Sequence, residues 1–160
     1  MNFFRHRLTG LPAWTLLLAA VGCSAADGGV PVAVPSPGAK ATELCRDLDE
    51  ALPRKLDGLA REETEPRSAL TAAWGSSAII LRCGVERPAE MLDPAASTTE
   101  VNGVAWLARE QDDGGYVFTT GLRQAYVEVR FSAEQAAKGA GPLVDFAEPV
   151  KETIPEGIAD

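Results

Sequence analysis

Side chains that commonly carry enzymatic chemistry are scarce in this sequence. Its 160 residues contain one histidine, His6, and three cysteines, Cys23, Cys45 and Cys83. His6 lies in a basic N-terminal segment typical of a cleaved leader, so the rest of the chain has no imidazole for Ser-His-Asp catalysis, Cys-His catalysis or a histidine-based zinc site. Phosphate-binding glycine motifs are also missing. We therefore predict no catalytic, cofactor-binding or metal-binding residues, and a protein that is not an enzyme.

Acidic residues occur in short clusters that could suggest a divalent cation. On a helix, however, Asp47, Asp49 and Glu50 point in different directions. The Asp-Asp-Gly-Gly sequence at 112–115 lacks the further spaced oxygen ligands of a calcium loop. We interpret the first cluster as a solvated helix face and the second as a hairpin turn.

Three glutamates leave one enzymatic alternative open. Two carboxyl groups alone can hydrolyse a glycosidic bond when they lie about 5–9 Å apart in a cleft. Glu100, Glu110 and Glu128 are the candidates for such a pair. A carboxylate-only glycan hydrolase therefore stays an alternative, and the arrangement of these residues in space can test it.

The first residues of the chain have the three parts of a secretion signal. Arg5 and Arg7 supply a positive start, and an apolar stretch leads to a small residue, Gly22, at the cleavage point. The apolar run is about 11 residues long, whereas a membrane-spanning helix needs about 20. Pro12 further weakens a spanning helix. We predict that residues 1–22 are a cleavable signal.

The sequence Ala20-Val21-Gly22-Cys23 resembles the lipobox of bacterial lipoproteins. In that motif, small or aliphatic residues precede a cysteine that receives diacylglycerol. Ala20 departs from the pattern, in which leucine is commonest, so cleavage by an ordinary signal peptidase with an unmodified Cys23 stays an alternative. The resemblance implies a protein held on the extracytoplasmic face of the cell membrane by covalent lipid on Cys23.

The two remaining cysteines are expected to pair. Assigning Cys23 to lipid leaves Cys45 and Cys83 in an exported domain. Exported thiols are usually oxidised, and an even number of them is typical of a disulfide framework. We therefore predict a Cys45–Cys83 disulfide.

The charge of the chain limits its partners. The formal net charge is −8, and removal of Arg5 and Arg7 with the leader leaves 13 basic residues against 23 acidic ones, or about −10. So acidic a body repels phosphate backbones, which makes nucleic acid an improbable partner. The same charge disfavours adhesion to anionic lipid, so attachment to a membrane has to be covalent or hydrophobic.

After Cys23 the composition predicts a tether and one domain. Residues 24–40 contain Ser, Ala, Gly and three prolines without helical or strand periodicity, which favours an extended stalk. An irregular arm packed on the domain is the alternative. Together with the lipid-bearing Cys23, the predicted division is a tether over 23–40, a globular domain over 41–156 and a C-terminal tail over 157–160.

Hydrophobic periodicity predicts an α+β fold. A helix is expected to begin near Thr42 and a second one to cover residues 142–154, each with one apolar face. A short apolar run over 77–83 predicts a buried strand. Polar residues 57–68 and the proline-containing residues 86–97 are expected to be loops.

Three further strands are expected over 105–109, 116–120 and 125–131, joined by turns. The Asn-Gly pair at 102–103 predicts a tight reversal just before the first of them. Apolar residues alternate strictly with polar ones in the last strand, which is typical of a sheet with one buried face: Ala125, Val127, Val129 and Phe131. The predicted fold is a roughly four-stranded antiparallel sheet with two helices packed on one face and one disulfide.

The opposite face of this sheet is the predicted interaction surface. If Val127 and its apolar partners face the helices, Tyr126, Glu128 and Arg130 lie on the other side. Trp106 and Tyr116 of neighbouring strands could join them in a partly apolar patch suited to a protein partner or a sugar. The alternative is that the aromatic side chains simply fill the core.

A series of short motifs accompanies the early helix with Cys45: Ala73-Trp74-Gly75, Ile80-Leu81-Arg82-Cys83-Gly84-Val85, Glu100-Val101-Asn102-Gly103-Val104, Trp106 and Tyr126-Val127-Glu128-Val129. In these features the chain resembles a family of small exported proteins from high-GC Gram-positive bacteria, known as domain of unknown function 3515. The features cover roughly residues 43–155. The resemblance implies a location in the cell envelope, paired cysteines and a shared fold, and it supplies no catalytic residues.

The expected function is binding rather than catalysis. We predict a membrane-anchored lipoprotein that is a non-enzymatic interaction module for an envelope protein or a cell-wall component. A small-ligand-binding lipoprotein, with a pocket between helices and sheet, is the first alternative. The glycan hydrolase is the second.

Overall fold

A computed structural model describes residues 28–159 of the chain. The described part contains ten strands, three α-helices and one 3-10 turn. In chain order they are β1 (Val30–Pro31), α1 (Ala39–Ala51), β2 (Lys55–Leu56), β3 (Leu59–Glu62), β4 (Thr64–Glu65), β5 (Thr71–Trp74), β6 (Ile79–Val85), the 3-10 turn (Ala89–Leu92), β7 (Thr98–Val101), β8 (Val104–Glu110), β9 (Tyr116–Thr120), β10 (Tyr126–Phe131), α2 (Ala133–Ala137) and α3 (Leu143–Thr153).

Eight of the strands form one antiparallel sheet, so the predicted four-stranded sheet is wrong. The strand order is β2-β3-β5-β6-β10-β9-β8-β7, and β1 and β4 form a separate parallel pair. The α+β class and the antiparallel pairing agree with the sequence prediction, but the sheet is twice as wide. Three helices, rather than two, accompany it.

The additional strands arise where the sequence lacks apolar alternation. Strands β3 and β4 lie within residues 57–68, whose charged side chains suggested a surface loop. Strand β5 is rich in alanine, a weak strand former, and forms because β3 and β6 flank it. Strand β7 is mostly exposed, and an edge strand needs no apolar alternation.

The core lies between the sheet and the helices. We call the helix-covered side the inner face and the opposite side the outer face. Helices α1 and α3 bury Leu48 and Phe146 against the sheet, and Ala136 of α2 packs on the same core. The alternation predicted for residues 125–131 is confirmed, because its odd-numbered side chains are fully buried on the inner face.

A disulfide joins the first helix to the middle of the sheet. Cys45 of α1 and Cys83 of β6 are bonded, as predicted, with their Cα atoms 5.6 Å apart. Both residues are buried. The bond therefore fixes helix α1 directly onto one of the central strands.

The described part of the predicted tether is packed on the domain. The backbone N–H of Val30 donates to the carbonyl oxygen of Glu63 at 2.8 Å, and that of Val32 donates to Glu65 at 3.0 Å. Helix α1 then begins at Ala39, inside the range assigned to the tether. From Gly28 onwards, the alternative of an arm packed on the domain describes this segment, and the extended stalk is wrong.

Apolar contact explains why the arm packs. Two of its three valines, Val30 and Val32, are buried on the outer face against Ala73 and Ile80. Further along the arm, the Nε of Arg82 donates to the carbonyl oxygen of Ala33 at 3.1 Å. The sequence concealed this contact, because two valines between glycines and prolines give no periodic signal.

The C-terminal segment also belongs to the folded unit. The backbone N–H of Gln124 donates to the carbonyl oxygen of Pro155, and that of Gly157 donates to Leu122, both at 3.0 Å. The range predicted as a tail, 157–160, therefore begins with a residue that is hydrogen-bonded to the body of the protein.

A buried arginine connects this segment to helix α3 and to the β7–β8 turn. The guanidinium group of Arg123 donates to the carbonyl oxygens of Ile154 at 3.0 Å and Gly103 at 3.3 Å. The carboxylate of Glu156 lies 4.0 Å from it. Because Ile154 caps the C-terminal end of α3, the positive charge also interacts favourably with the helix dipole.

Replacing Arg123 with methionine should destabilise the protein more than replacing an exposed arginine. Arg123→Met leaves buried carbonyl oxygens without donors, and hydrogen bonds to charged groups are worth about 1.5–3 kcal/mol each. We expect the free energy of unfolding to fall by about 2–3 kcal/mol, measured by urea titration. The matched control is Arg67→Met, because Arg67 is exposed and its ion pair is with the exposed Glu63. Equal losses in the two variants would contradict this role of Arg123.

Candidate interaction surface

The structure divides the predicted interaction face between the two sides of the sheet. Trp106 is fully buried on the inner face, and Tyr116 lies at the edge of the same core, stacked on Phe118 with ring centroids 5.9 Å apart. Tyr126 lies on the outer face but is also buried. The predicted aromatic patch is therefore wrong. The alternation in β8 explains the result, because its even-numbered side chains point to the helices.

Charged residues occupy the middle of the outer face instead. Glu128 lies directly opposite Arg82 in the β6–β10 register, and its carboxylate is 3.1 Å from that guanidinium group. Arg109 approaches the same carboxylate at 3.8 Å and pairs with Glu90 at 3.4 Å. A hydrogen bond from its own backbone and the nearby Arg109 lower the pKa of Glu90. The predicted residue Glu128 is thus the centre of an ion-pair network.

The predicted residue Arg130 is paired in a similar way. Its guanidinium group contacts the carboxylate of Asp113 in the turn between β8 and β9. The backbone N–H of Gly115 donates to Asp113 at 2.9 Å, and this bond together with Arg130 lowers the pKa of that carboxyl group. The Asp-Asp-Gly-Gly segment is therefore a hairpin turn, and its Asp113 carboxylate binds Arg130 and the backbone of Gly115.

Glu128→Gln is expected to lower the free energy of unfolding by about 1–2 kcal/mol. Glutamine retains the shape of the side chain but removes the charge that lies between Arg82 and Arg109, and only 16% of the glutamate side chain is exposed. Urea unfolding measures the loss. The control is Glu63→Gln, whose exposed pair with Arg67 should contribute no more than about 0.5 kcal/mol. A loss no greater than the control's would refute the stabilising role of the network.

The three candidate catalytic glutamates are not brought together. Glu110 lies on the inner face at the end of β8, where it accepts a hydrogen bond from Tyr116. Glu100 and Glu128 lie on the outer face in β7 and β10, three strands apart. At about 4.8 Å per strand, that separation is about 14 Å. The arrangement does not provide the carboxyl pair that a glycan hydrolase requires.

Two further observations concern metals and membranes. Among residues 28–159, no three His, Cys, Asp or Glu side chains are grouped closely enough to hold a metal ion. No helix within that range is long and apolar enough to cross a membrane. The predicted signal, 1–22, and the predicted lipidation site, Cys23, lie outside the described residues.

An apolar groove lies on the outer face at the β7–β8 end of the sheet. Its volume is about 300 Å³. Leu107 and Tyr126 belong to its lining, Met91 lies beside them, and the side chains of Leu122 and Ile158 flank it. Leu122 and Ile158 are 70% and 66% exposed. An apolar groove with two exposed aliphatic side chains is typical of a binding surface.

Leu122 is held in an unusual backbone conformation. Its φ is 53°, in the left-handed region that glycine or asparagine adopts more cheaply than leucine. The hydrogen bond from Gly157 to its carbonyl oxygen holds this conformation in place. The backbone thus presents a leucine side chain to solvent at a position where glycine would be less strained.

Sequence reasoning missed this groove. It predicted a turn around Leu122 and a tail at Ile158, and it treated residues 86–97 as a connecting loop. The groove forms only where these three segments meet over β8. An apolar residue in each predicted loop was the only available signal, and single exposed apolar residues are common.

A polar pocket lies between α2, α3 and the β2–β3 turn. It has a volume of about 430 Å³ and includes Asp57, Gln135, Lys138 and Asp145 in its lining. The buried amide of Gln135 donates to Asp57 at 3.2 Å, whereas its Oε1 has no hydrogen-bond partner within residues 28–159. This pocket corresponds best to the alternative prediction of a small-ligand site between helices and sheet.

The chain matches a known protein family. Its fold is a disulfide-bonded α+β domain with a wide antiparallel sheet, and a family described as "Protein of unknown function (DUF3515)" matches residues 12–159. The chain belongs to this family, so the predicted membership in domain of unknown function 3515 is confirmed. No curated protein and no solved structure matches the sequence.

Proposed function

We propose that this chain is an exported lipoprotein, anchored by lipid on Cys23 to the extracytoplasmic face of the cell membrane. We further propose that it is a non-enzymatic binding module, which contacts another component of the cell envelope through the apolar groove. The observation that carries the binding proposal is the pair of exposed side chains, Leu122 and Ile158, that flank the groove. Their contact with a partner would remove this apolar area from water.

The strain at Leu122 supports binding at this surface. A non-glycine residue in the left-handed region costs free energy, and such residues are concentrated at functional sites. In the unbound protein the exposed leucine gains little from packing that could offset this cost. Contact with a partner would supply the missing compensation.

The position of the arm supports access to the groove. Four residues separate Cys23 from Gly28, and the five steps between these two Cα atoms span at most about 3.6 Å each. An anchor on Cys23 would therefore lie within about 18 Å of the point where the arm joins the domain. Strand β1 of the arm pairs with β4 and packs on Ala73 of β5, whereas the groove lies over β8, four strands from β5 in the sheet. At about 4.8 Å per strand, β8 lies about 19 Å from β5 across the sheet. This distance leaves the groove clear of the point where the arm joins the domain.

Membrane anchoring can be tested on the native chain. The wild-type protein should be in the membrane fraction and should carry the mass of diacylglycerol on its N-terminal cysteine. Cys23→Ser should abolish the added diacylglycerol mass, because serine provides no thiol for the lipid. An unmodified Cys23 in processed wild-type protein would refute the lipoprotein proposal.

Binding at the groove can be tested by site-specific photocrosslinking in cells. A benzoylphenylalanine residue at position 122 should give one dominant protein or glycan adduct, identified by mass spectrometry. The matched control is the same residue at position 144, because Val144 is also an exposed aliphatic residue but lies on α3. No adduct at position 122, or identical adducts at both positions, would refute the proposed surface.

The small-ligand alternative is favoured by one observation, the unpartnered Oε1 of Gln135. A ligand with an N–H or O–H group could donate to this oxygen. The test is an NMR screen of small polar fragments that monitors the side-chain amide of Gln135. Shifts confined to this amide and its neighbours would support the alternative, whereas an unresponsive amide would remove it.

A further inference from the structure

Strand β7 leaves one row of backbone groups unpaired at the edge of the sheet. In the β7–β8 hairpin, Val101 and Thr99 lie opposite Val104 and Trp106, and the tight turn makes these the hydrogen-bonded pairs. The N–H and C=O groups of Thr98 and Glu100 therefore point away from β8. Within the described part of the chain, no group is hydrogen-bonded to them.

The free edge adjoins the apolar groove. Thr98 lies opposite Leu107 in the register, and both residues line the groove on the outer face. Glu100 lies opposite Ala105, which also lines it. A strand added to β7 would place every second side chain on this face, beside the groove. The backbone edge and the groove are thus arranged as two parts of one binding site.

The charge around the site indicates the sign of the partner. Acidic groups lie in and beside the groove, with Asp93 in its lining and Glu100 on the adjoining strand. Arg87 is the basic residue of the lining. The whole sequence has 23 acidic residues against 15 basic ones, so a second copy of the chain would be repelled. Positive charge on the partner complements this surface.

We propose, on the basis of the function proposed above, that the partner presents an extended peptide segment with apolar residues at alternate positions and lysine or arginine on both sides. The segment adds to β7 as a ninth strand of the sheet. Its backbone pairs with Thr98 and Glu100, and its apolar side chains enter the groove beside Leu122. In this mode of recognition the main chain supplies affinity, and the pockets for alternate side chains supply specificity.

Synthetic peptides can test this partner class with the soluble domain, defined as residues 24–160 without the predicted signal and Cys23. The probe is a nine-residue peptide with Val-Thr-Val-Thr-Val flanked by two lysines on each side, and its control has aspartate in place of every lysine. In ¹H–¹⁵N NMR spectra, the lysine peptide should shift the amides of Thr98 and Glu100. Its Kd should be at least about tenfold lower than that of the aspartate peptide at low salt.

Two changes separate the backbone contribution from the side-chain contribution. The odd-numbered and the even-numbered amides of the peptide are N-methylated in two separate peptides. One of the two should no longer bind and the other should bind as before, because only one set of amides faces β7. Leu122→Asp and Glu100→Lys should each weaken binding of the lysine peptide at least about tenfold. The control Val144→Asp should leave the Kd unchanged.

The outcomes distinguish the partner class from the function itself. Equal binding of the two peptides, insensitivity to both N-methylated sets, or dimerisation of the domain through β7 would overturn the peptide proposal. If the crosslink at position 122 still captures an envelope component, the proposed function survives with a different partner chemistry. If neither the peptides bind nor the crosslink forms, both proposals fail.

Discussion

Removal of the Cys45–Cys83 disulfide is expected to lower the free energy of unfolding by about 4 kcal/mol. The bond closes a chain segment with a sequence separation of 38 residues, and the loss of that closure increases the entropy of the unfolded state. For a small domain, whose stability is commonly about 5–15 kcal/mol, this is a large fraction of the total. The measurement is urea unfolding of the soluble domain with both cysteines replaced by alanine.

Chemical reduction provides the matched control for this prediction. Dithiothreitol should shift the unfolding midpoint of the wild-type domain toward that of the double-alanine variant and leave the variant's own midpoint unchanged. Because both cysteines are buried, the single variants Cys45→Ala and Cys83→Ala should also lose stability. A wild-type midpoint that does not respond to complete reduction would contradict the prediction.

Trp74→Ala is expected to cost about 3–5 kcal/mol, because it removes a fully buried side chain from the centre of the core. The Trp74 ring packs edge-on against Phe146 of α3, with centroids 5.4 Å apart. Its indole N–H donates to the carbonyl oxygen of Pro53 at 3.0 Å. The substitution therefore creates a cavity and leaves a carbonyl group without its donor. Urea or thermal unfolding measures the loss.

The ring contact can be isolated by a double-mutant cycle. The losses in the free energy of unfolding caused by Trp74→Ala and Phe146→Ala should be less than additive in the double variant. The coupling energy of the aromatic pair should be about 0.5–1.5 kcal/mol. The control is Leu92→Ala, because Leu92 is 68% exposed and its loss should change stability by less than about 0.5 kcal/mol. A cost for Trp74→Ala that matches the Leu92 control would show that the core is not organised around this ring.

Strong local signals in the sequence predicted the centre of the fold. Strict alternation placed the side chains of β10, and the Asn-Gly pair at 102–103 predicted a reversal that the structure forms with positive φ at both residues. Cysteine counting predicted the pairing of Cys45 and Cys83. Each of these signals depends on a few adjacent residues or on the even number of cysteines that follow Cys23, and none of the three requires knowledge of distant contacts.

The margins of the sheet could not be predicted in the same way. Strand β5 is held between β3 and β6, and β7 pairs with a β8 that has its own strong signal. Such strands form because a neighbour offers hydrogen bonds, whatever their own propensity. The arm is similar, since the burial of Val30 depends on Ala73 and Ile80, which are distant in sequence.

The candidate site was beyond sequence reasoning for a related reason. The predicted face failed at Trp106 and Tyr116, because the alternation of β10 fixes the orientation of β10 alone and not that of β8 or β9. The groove combines residues from a loop, a turn and the C-terminal segment. Their approach is set by long-range hydrogen bonds, such as that between Gly157 and Leu122.

The disulfide also determines how the domain would respond to mechanical tension. For a chain held by its N-terminal end, a pull first peels the arm from β4 and breaks the contact between Ala33 and Arg82. At Cys45 the covalent bond transfers the force directly to Cys83 in β6. The residues between these cysteines, which include β2 to β5, are thereby bypassed. Force between the proposed anchor on Cys23 and a partner at the groove would therefore pass through β6 and β10, the two middle strands of the eight-stranded sheet.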